Sequence, residues 1–256
     1  MSITLSVLAS GSKANAILIC EDDTRILIDA GLGIRNMTAA LEEIRLRPTD
    51  LSAILITHEH TDHVRGLAKL LDRTRMPIYA SAATLEAVEY MIPARVKATA
   101  MNGEAVQIGS FAVHGIPVPH DASGPMAYHL QSGAHRITLA TDLGEVPSAL
   151  AEVLTHSTAL ILESNHDEKM LREGSYPDFL KERILSGFGH LSNRQSAEAL
   201  AECKGNGMRA VVLAHLSDEN NLPELARAAA EAALEGTGAE LHVTTRQAAG
   251  PYLELD

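Results

Sequence analysis

The sequence predicts a mixed α and β fold organised as a single domain, residues 1–256. Three observations predict it. β-rich runs alternate with segments of helical spacing along most of the chain. The β-rich runs fall into two sets, each followed by helices. No Pro/Ser-rich linker and no strong repeat divides the 256 residues, a length that supports a sizeable core.

The first set opens with short β-rich runs at Ile3–Ala9, Ala16–Cys20 and Arg25–Asp29. The polar stretch Glu21-Asp22-Asp23-Thr24 reads as a hairpin turn between the second and third. Helical spacing follows near Met37–Arg45, and the apolar run Leu51–Thr57 reads as a buried strand. A helix is expected over Asp62–Arg73, with Val64, Leu67, Leu70 and Leu71 on one face. A strand at Pro77–Ser81 and a helix at Ala82–Tyr90 complete the set. The second set comprises Ala105–Ile108, Phe111–Val118, Met126–Gln131 and Arg136–Thr141, a helix at Pro147–Leu154 and a strand at Ala159–Glu163. Ser164–Gly189 reads as irregular and polar. After it come a helix at Asn193–Lys204, a strand at Arg209–Ala214, an Ala-rich helix at Leu222–Leu234 and a strand at Glu240–Thr245.

Composition narrows the function classes. The chain is 46% apolar and 21% charged, with no Trp and 3% aromatic residues, so its core is aliphatic and base-stacking platforms are scarce. A net charge of −12 argues against a general nucleic-acid coat or a membrane-surface protein. It leaves a phosphate substrate open, because metal ions supply local positive charge. Cys20 and Cys203 stand far apart without a CxxC pattern, which fits a reducing compartment. With neither a signal-like N-terminus nor an apolar run of membrane-spanning length, the expectation is a cytoplasmic protein without membrane contact.

The chemistry concentrates in His58-Glu59-His60-Thr61-Asp62-His63, directly after the apolar strand. His58 and His60, two apart in an extended turn, can converge on one ion. Asp62 and His63, where strand gives way to helix, can face a second. Imidazole and carboxylate together suit Zn²⁺, Mn²⁺ or Fe. Three further candidates each end an apolar run: His120, Asp142 and His215. Recurrence of polar residues at strand ends reads as one rim of a sheet facing one site.

T-H-x-H-x-D-H followed by a distant His, a distant Asp and a late His resembles the metallo-β-lactamase superfamily over nearly the whole chain, in the order Asp29, the His cluster, His120, Asp142 and His215. The resemblance implies a four-layer αββα sandwich and a hydrolytic centre of two divalent ions, Zn²⁺ or Mn²⁺ with Fe as a further option. It implies that His58, His60 and His120 hold one ion, that Asp62, His63 and His215 hold the other, and that Asp142 bridges both together with a hydroxide. Gly189-His190-Leu191-Ser192-Asn193 and Ala214-His215-Leu216-Ser217 resemble the ribonuclease Z-like side of the superfamily. Ser10-Gly11-Ser12-Lys13-Ala14-Asn15, His120-Asp121-Ala122, Glu163-Ser164-Asn165-His166-Asp167 and Tyr176-Pro177 resemble the YycJ/WalJ group, which is exonuclease-like. Ala14 departs from that group's usual Gly, which would be strained if the backbone there requires positive φ.

That resemblance implies hydrolysis of a phosphodiester, with nucleic acid cut from a DNA end as the leading substrate. Asp62 would orient the attacking water or take its proton. His190 would act as general acid or donor to the phosphoryl oxygens, ahead of a helix start at Ser192 and Asn193 that favours an anion. Glu163 would orient His190. The plain alternatives are a helix-capping loop residue for His190 and a strand-end acid in a structural ion pair for Glu163. Ser10, Ser12, Lys13, Asn15, Asn165, Ser192 and Asn193 are the candidate substrate contacts, and His166 either touches substrate or braces the site. Lys169, Arg172, Lys181, Arg183 and Arg194 form either a basic lip or a solvated mixed surface with the interleaved acids. His114, His129, His135, His156 and His242 read as structural or surface residues. Rival readings are a small-molecule hydrolase, either a small or cyclic phosphodiesterase or a glyoxalase II-like thioesterase, and a non-hydrolytic metal-binding or redox protein. Oligomeric state is open, a homodimer included.

Overall fold

A computed structural model describes residues 2–203, 207–244 and 252–255. They form two compact units, the first from residues 2–115, 122–126 and 252–255, the second from 116–121, 127–203 and 207–244. No helix among the described residues is long and apolar enough to cross a membrane.

The first unit is built on β1 (Ile3–Ala9), β2 (Ala16–Glu21), β3 (Thr24–Ile28), β4 (Ala53–Leu55), β5 (Ile78–Ala80), β6 (Ala98–Ala100) and β14 (Tyr252–Leu255). Their order is β14-β1-β2-β3-β4-β5-β6. The early strands pair antiparallel through short turns, whereas β3 to β6 pair parallel, with Ile28 opposite Leu55 and Leu55 opposite Tyr79. Parallel strands need crossovers, and helices α1 (Ile34–Glu43), α2 (Thr61–Val64), α3 (Leu67–Arg73) and α4 (Ala82–Ala87) lie in those connections. The core is aliphatic, as composition requires: Leu18, Leu27, Ile54, Ile56 and Ile78 of the strands meet Met37 and Leu41 of α1 and Leu67, Leu70 and Leu71 of α3. A hairpin of β7 (Val106–Ile108) and β8 (Phe111–Pro117) follows.

In the second unit β9 (Met126–Ser132), β10 (His135–Ala140), β11 (Ala159–Glu163), β12 (Ala210–Ala214) and β13 (Glu240–Val243) lie in the order β13-β12-β11-β10-β9. β9 and β10 are antiparallel; β10 to β13 are parallel, with α5 (Ser148–Thr155), α8 (Asn193–Cys203) and α9 (Pro223–Ala233) in the crossovers. β11 and β12 are buried at every residue, the continuous apolar pattern of a covered parallel sheet. Leu150, Leu154, Leu200 and Ala226 of the helices pack on Leu160, Leu162, Val211 and Leu213.

Several expectations need correction. The helix expected over Asp62–Arg73 is two helices, α2 and α3, separated at Gly66. Gly66 N donates to Ala30 O at 2.7 Å while Asp62 O accepts from Asn15 N at 2.8 Å, so the hydrogen bond that would continue the helix is diverted, and a Cβ on Gly66 would lie 2.0 Å from the Leu32 carbonyl. Ser164–Gly189 is not irregular. It holds α6 (Glu168–Glu173), whose N-cap Asp167 accepts from Met170 N, and α7 (Asp178–Leu185), which starts after Pro177. Charges of both signs hid two short helices with legible start signals. β6 and β14 are short strands that carry no alternation long enough to read. The helix end at Lys204 and the strand end at Thr245 lie outside the described residues. Ala14 is not among the residues with positive φ; Gly11 is, at 123°, so the strain considered for Ala14 does not arise.

Three loops of the first unit are stitched by backbone bonds: Asn15 N to Asp62 O at 2.8 Å, Gly31 N to Asn15 O at 2.9 Å and Ala30 N to His63 O at 2.7 Å. Gly31 is required at this crossing, since a Cβ would fall 1.7 Å from Asp62 O and 2.5 Å from Asn15 N. Gly31→Ala is expected to lower stability by at least about 2 kcal/mol, while Gly33→Ala, with nothing within 4 Å of the added carbon, costs less than about 1 kcal/mol. Urea denaturation of the two variants checks this; equal midpoints would contradict it.

Candidate active site

The chemistry-bearing side chains follow the C-terminal ends of parallel strands, where α/β folds leave backbone and side chains free to face a ligand. In the first unit Asp29 follows β3, and Thr57, His58, His60, Asp62 and His63 follow β4. In the second Asp142 follows β10, Glu163 ends β11 and His215 follows β12. Asp29, Asp142 and His215 have φ of 63°, 59° and 57°. A left-handed residue at a strand end turns the chain sharply, a conformation that costs non-glycine residues energy and recurs at functional sites.

In the first unit Asp29 organises the histidines. Its Oδ1 accepts from Thr57 N at 2.8 Å, and its Oδ2 from His63 Nδ1 at 2.7 Å and from the Thr57 hydroxyl at 2.9 Å. The Thr57 oxygen in turn accepts from His58 Nδ1 at 3.0 Å. Partner chemistry assigns the tautomers: both buried rings carry their proton on Nδ1 and the lone pair on Nε2. His63 Nε2 and Asp62 Oδ2, 3.3 Å apart, converge on the Asn15 amide at 3.0 and 3.1 Å. The rings of His58 and His60 stand edge to face, centroids 4.5 Å apart. Glu59 turns the other way and receives Ser123 N on both oxygens at 2.9 and 3.0 Å, which fixes the loop that follows His120 and Asp121.

In the second unit Glu163 is fully buried and accepts four hydrogen bonds. Oε1 takes His190 Nδ1 at 2.9 Å and His215 Nδ1 at 2.7 Å; Oε2 takes Leu191 N at 3.0 Å and Leu143 N at 3.2 Å. Burial alone would push this carboxyl up, but the two imidazoles outweigh it and hold its pKa at about 2. Asp142 Oδ1 lies 3.4 Å from His215 Nδ1, 3.6 Å from His190 Nδ1 and 3.9 Å from His120 Nε2. His120 donates Nδ1–H to the Gly189 carbonyl at 3.0 Å, and burial lowers its pKa. Asp142, Glu163, His190 and His215 bring four ligand-type atoms within 4.8 Å of one another. Because both Nδ1–H groups are given to Glu163, that grouping is a hydrogen-bond network that orients Nε2 rather than an ion site at Nδ1.

The chain thus presents imidazole Nε2 atoms and acidic oxygens, an N/O donor set that suits a divalent ion. His58, His63, His120 and His215 have Nδ1 occupied by an oxygen, which makes Nε2 the atom each would offer to a metal; in His63 the Asn15 amide lies 3.0 Å from it. His190 has the same arrangement, with its side chain 20% exposed.

The residues expected to touch substrate fall into different settings. Ser12 and Lys13 are exposed and Ser10 half-buried. Asn15 is buried, with Oδ1 accepting from Gly11 N at 3.0 Å, so its amide spans the Ser10–Asn15 loop and the Asp62–His63 turn. Asn165 Nδ2 donates to the His215 carbonyl at 2.9 Å, and Asn193 Oδ1 accepts from Ser164 Oγ at 2.7 Å and from Asn221 Nδ2 at 2.9 Å. Ser192 caps α8: its Oγ accepts from Gln195 N at 3.2 Å while Gln195 Oε1 accepts from Ser192 N at 2.9 Å, a reciprocal capping box. These side chains hold the backbone beside His215 and His190. Sequence reading placed Asp29 in the family pattern without a role, and missed its contact with Thr57 and the bracing by Glu59 and Asn221; for Asp29 a polar residue after a parallel strand was the available signal. Two of the five residues proposed as a basic lip are in ion pairs. Arg194 pairs with Glu168 and Glu198 at 2.9 and 2.6 Å, and Arg183 pairs with Asp121.

His166 is buried, and neither ring nitrogen has a hydrogen-bond partner among the described residues. Burial lowers its pKa to about 4 from 6.5. The unfolded chain therefore binds more protons between these values, and stability falls as pH drops from about 6.5 towards 4. By about pH 5 this group accounts for about 2 kcal/mol. In metal-stripped protein His166→Gln is expected to remove that part of the acid loss, measured by urea denaturation near pH 7.5 and pH 5; an undiminished loss would contradict it.

The comparisons agree with this geometry. Residues 24–216 match the family model described as "Beta-lactamase superfamily domain". The chain is 38% identical to Exodeoxyribonuclease YycJ of Bacillus anthracis, over 93% of this chain and 91% of that protein. It is 39% identical to Exodeoxyribonuclease WalJ of Streptococcus pneumoniae, over 86% and 84%. Among solved structures, the metallo-β-lactamase fold protein YhfI from Bacillus subtilis superposes with a TM-score of 0.76 at 18% identity, covering 99% of this chain and 100% of that one. Two mixed sheets with flanking helices, strand-end histidines and acids, and relatives that span nearly the whole length place the chain in one family: it belongs to the metallo-β-lactamase superfamily, alongside the YycJ/WalJ proteins.

Proposed function

We propose that the protein is a metal-dependent phosphodiesterase that removes nucleotides from DNA ends, acting in the cytoplasm. The observation that carries the reading is the buried Glu163 carboxylate shared by two imidazoles, His215 and the partly exposed His190. The relatives at 38–39% identity are named exodeoxyribonucleases, which points the same machinery at DNA.

His58, His60, Asp62, His63, His120, Asp142 and His215 are the proposed ligands of two divalent ions. When bound, such ions polarise the phosphoryl group and supply a nucleophilic water at neutral pH. The rest of the work falls to the chain. Asp62 is placed by Asn15 to orient the attacking water and accept its proton. Glu163, ionised throughout the physiological range, binds His190 through Nδ1 and stabilises the imidazolium, as the buried acid does in a catalytic triad. His190 then delivers the Nε2 proton to the departing sugar oxygen.

The test is a substrate panel for the metal-loaded protein: 5′-phosphorylated duplex DNA, RNA, bis-p-nitrophenyl phosphate and a lactoyl thioester. DNA turnover is expected; thioester cleavage without any phosphodiester turnover would overturn the reading. His190→Ala should lower kcat by roughly 10²–10⁴-fold with metal content unchanged. Loss of metal in that variant would make His190 a ligand instead of a proton donor.

A further inference from the structure

The sequence contains three Phe and no Trp. Phe111 is buried, whereas Phe188 and Phe179 are 62% and 72% exposed. A lone exposed aromatic needs no explanation. Phe188 differs in its position and in its mount, for it lies two residues before His190 on backbone pinned from both sides. Gly189 N donates to Ser186 O at 2.9 Å, His190 N to Ile184 O at 3.0 Å and Phe188 N to Ser186 Oγ at 3.3 Å. The Gly189 carbonyl holds His120 Nδ1. Gly189 packs so closely that a Cβ would lie 2.1 Å from Ile184 O, and a Cβ on Gly144 would lie 2.2 Å from the carbonyl carbon of Gly187. The ring is therefore carried on a fixed turn whose other side chain is the proposed proton donor.

Two of the cations in this segment are already paired. Arg183 is paired with Asp121 and Arg194 with two glutamates, on a chain of net charge −12. Away from the proposed ions, attraction of a phosphate backbone is weak on a surface of net negative charge, so a nucleic acid gains from contacts that do not depend on charge. Base–aromatic stacking is the means that needs no net positive charge, and a ring on rigid backbone loses little freedom in making it.

We propose that Phe188 is a stacking platform for an unpaired nucleobase of a DNA strand, seated so that the adjoining phosphodiester faces His190. Phe179 and Arg183, four apart on one face of α7, continue that surface along the helix. The inference rests on the phosphodiesterase reading and assigns it a binding residue for the base.

The absence of native Trp makes Phe188→Trp a unique fluorophore. Its emission should be quenched when metal-loaded protein is titrated with a short phosphorothioate single strand, and unaffected by an abasic strand of equal length. Phe188→Ala should raise KM for an oligonucleotide by on the order of tenfold to a hundredfold with a smaller change in kcat, while Phe188→Trp stays near the parent. Trp emission unmoved by a strand shown to bind by anisotropy, or unchanged KM in Phe188→Ala, would overturn the platform alone. A parent protein that neither binds nor cuts DNA would overturn the phosphodiesterase reading and the platform with it. Trp emission that shifts with protein concentration in the absence of DNA, and no longer responds to it, would assign the face to a second copy of the chain and overturn the platform.

Discussion

Commitment of imidazole Nδ1 to an oxygen is the constraint on which the candidate site depends. His58 is held by Thr57 and His63 by Asp29 in the first unit; His120 is held by the Gly189 carbonyl and His190 and His215 by Glu163 in the second. A histidine so held has one tautomer and one ring orientation, with the lone pair on Nε2. Glu163 has the largest share. Its four accepted bonds tie two imidazoles to the backbone at Leu143 and Leu191, so the residues next to Asp142 and His190 are placed by the same carboxylate that orients the rings. Such a group is costly to bury and is kept ionised because every lone pair is engaged.

The fold supplies these side chains where the chain leaves a parallel strand. The left-handed backbone at Asp29, Asp142 and His215 turns the chain abruptly at three such ends, and close approaches at Gly31 and Gly66 let neighbouring loops pass within hydrogen-bond reach. Polar side chains such as Asn15 in the first unit and Asn165, Asn193 and Asn221 in the second hold the loops that carry the site residues. Rigidity of the site is thereby obtained without a disulfide and with an almost wholly aliphatic core.

Much of this was legible in the sequence. Apolar runs ending in His or Asp marked β3, β4, β10 and β12 together with the residues that follow them, because a covered parallel strand is continuously apolar and its chemistry starts where that run stops. What escaped reading was set by contacts between segments distant in sequence. Nothing local announces the positive φ of Asp142 or His215, the reach of Asn15 to His63, or the break between α2 and α3 where Gly66 N turns to Ala30 O. The helices α6 and α7 were hidden by mixed charge, and with them the exposure of Phe179 and Phe188, which composition alone had made seem too sparse to matter.

The proposed site has oriented Nε2 atoms and two aspartates holding a pair of ions, with His190 outside their coordination. Anomalous diffraction from Zn²⁺-loaded crystals is the decisive measurement. Two peaks are expected, at roughly 2.0–2.1 Å from imidazole Nε2 atoms of His58, His60, His63, His120 and His215, with His190 beyond bonding distance. A single peak, or a peak bonded to His190, would overturn the assignment.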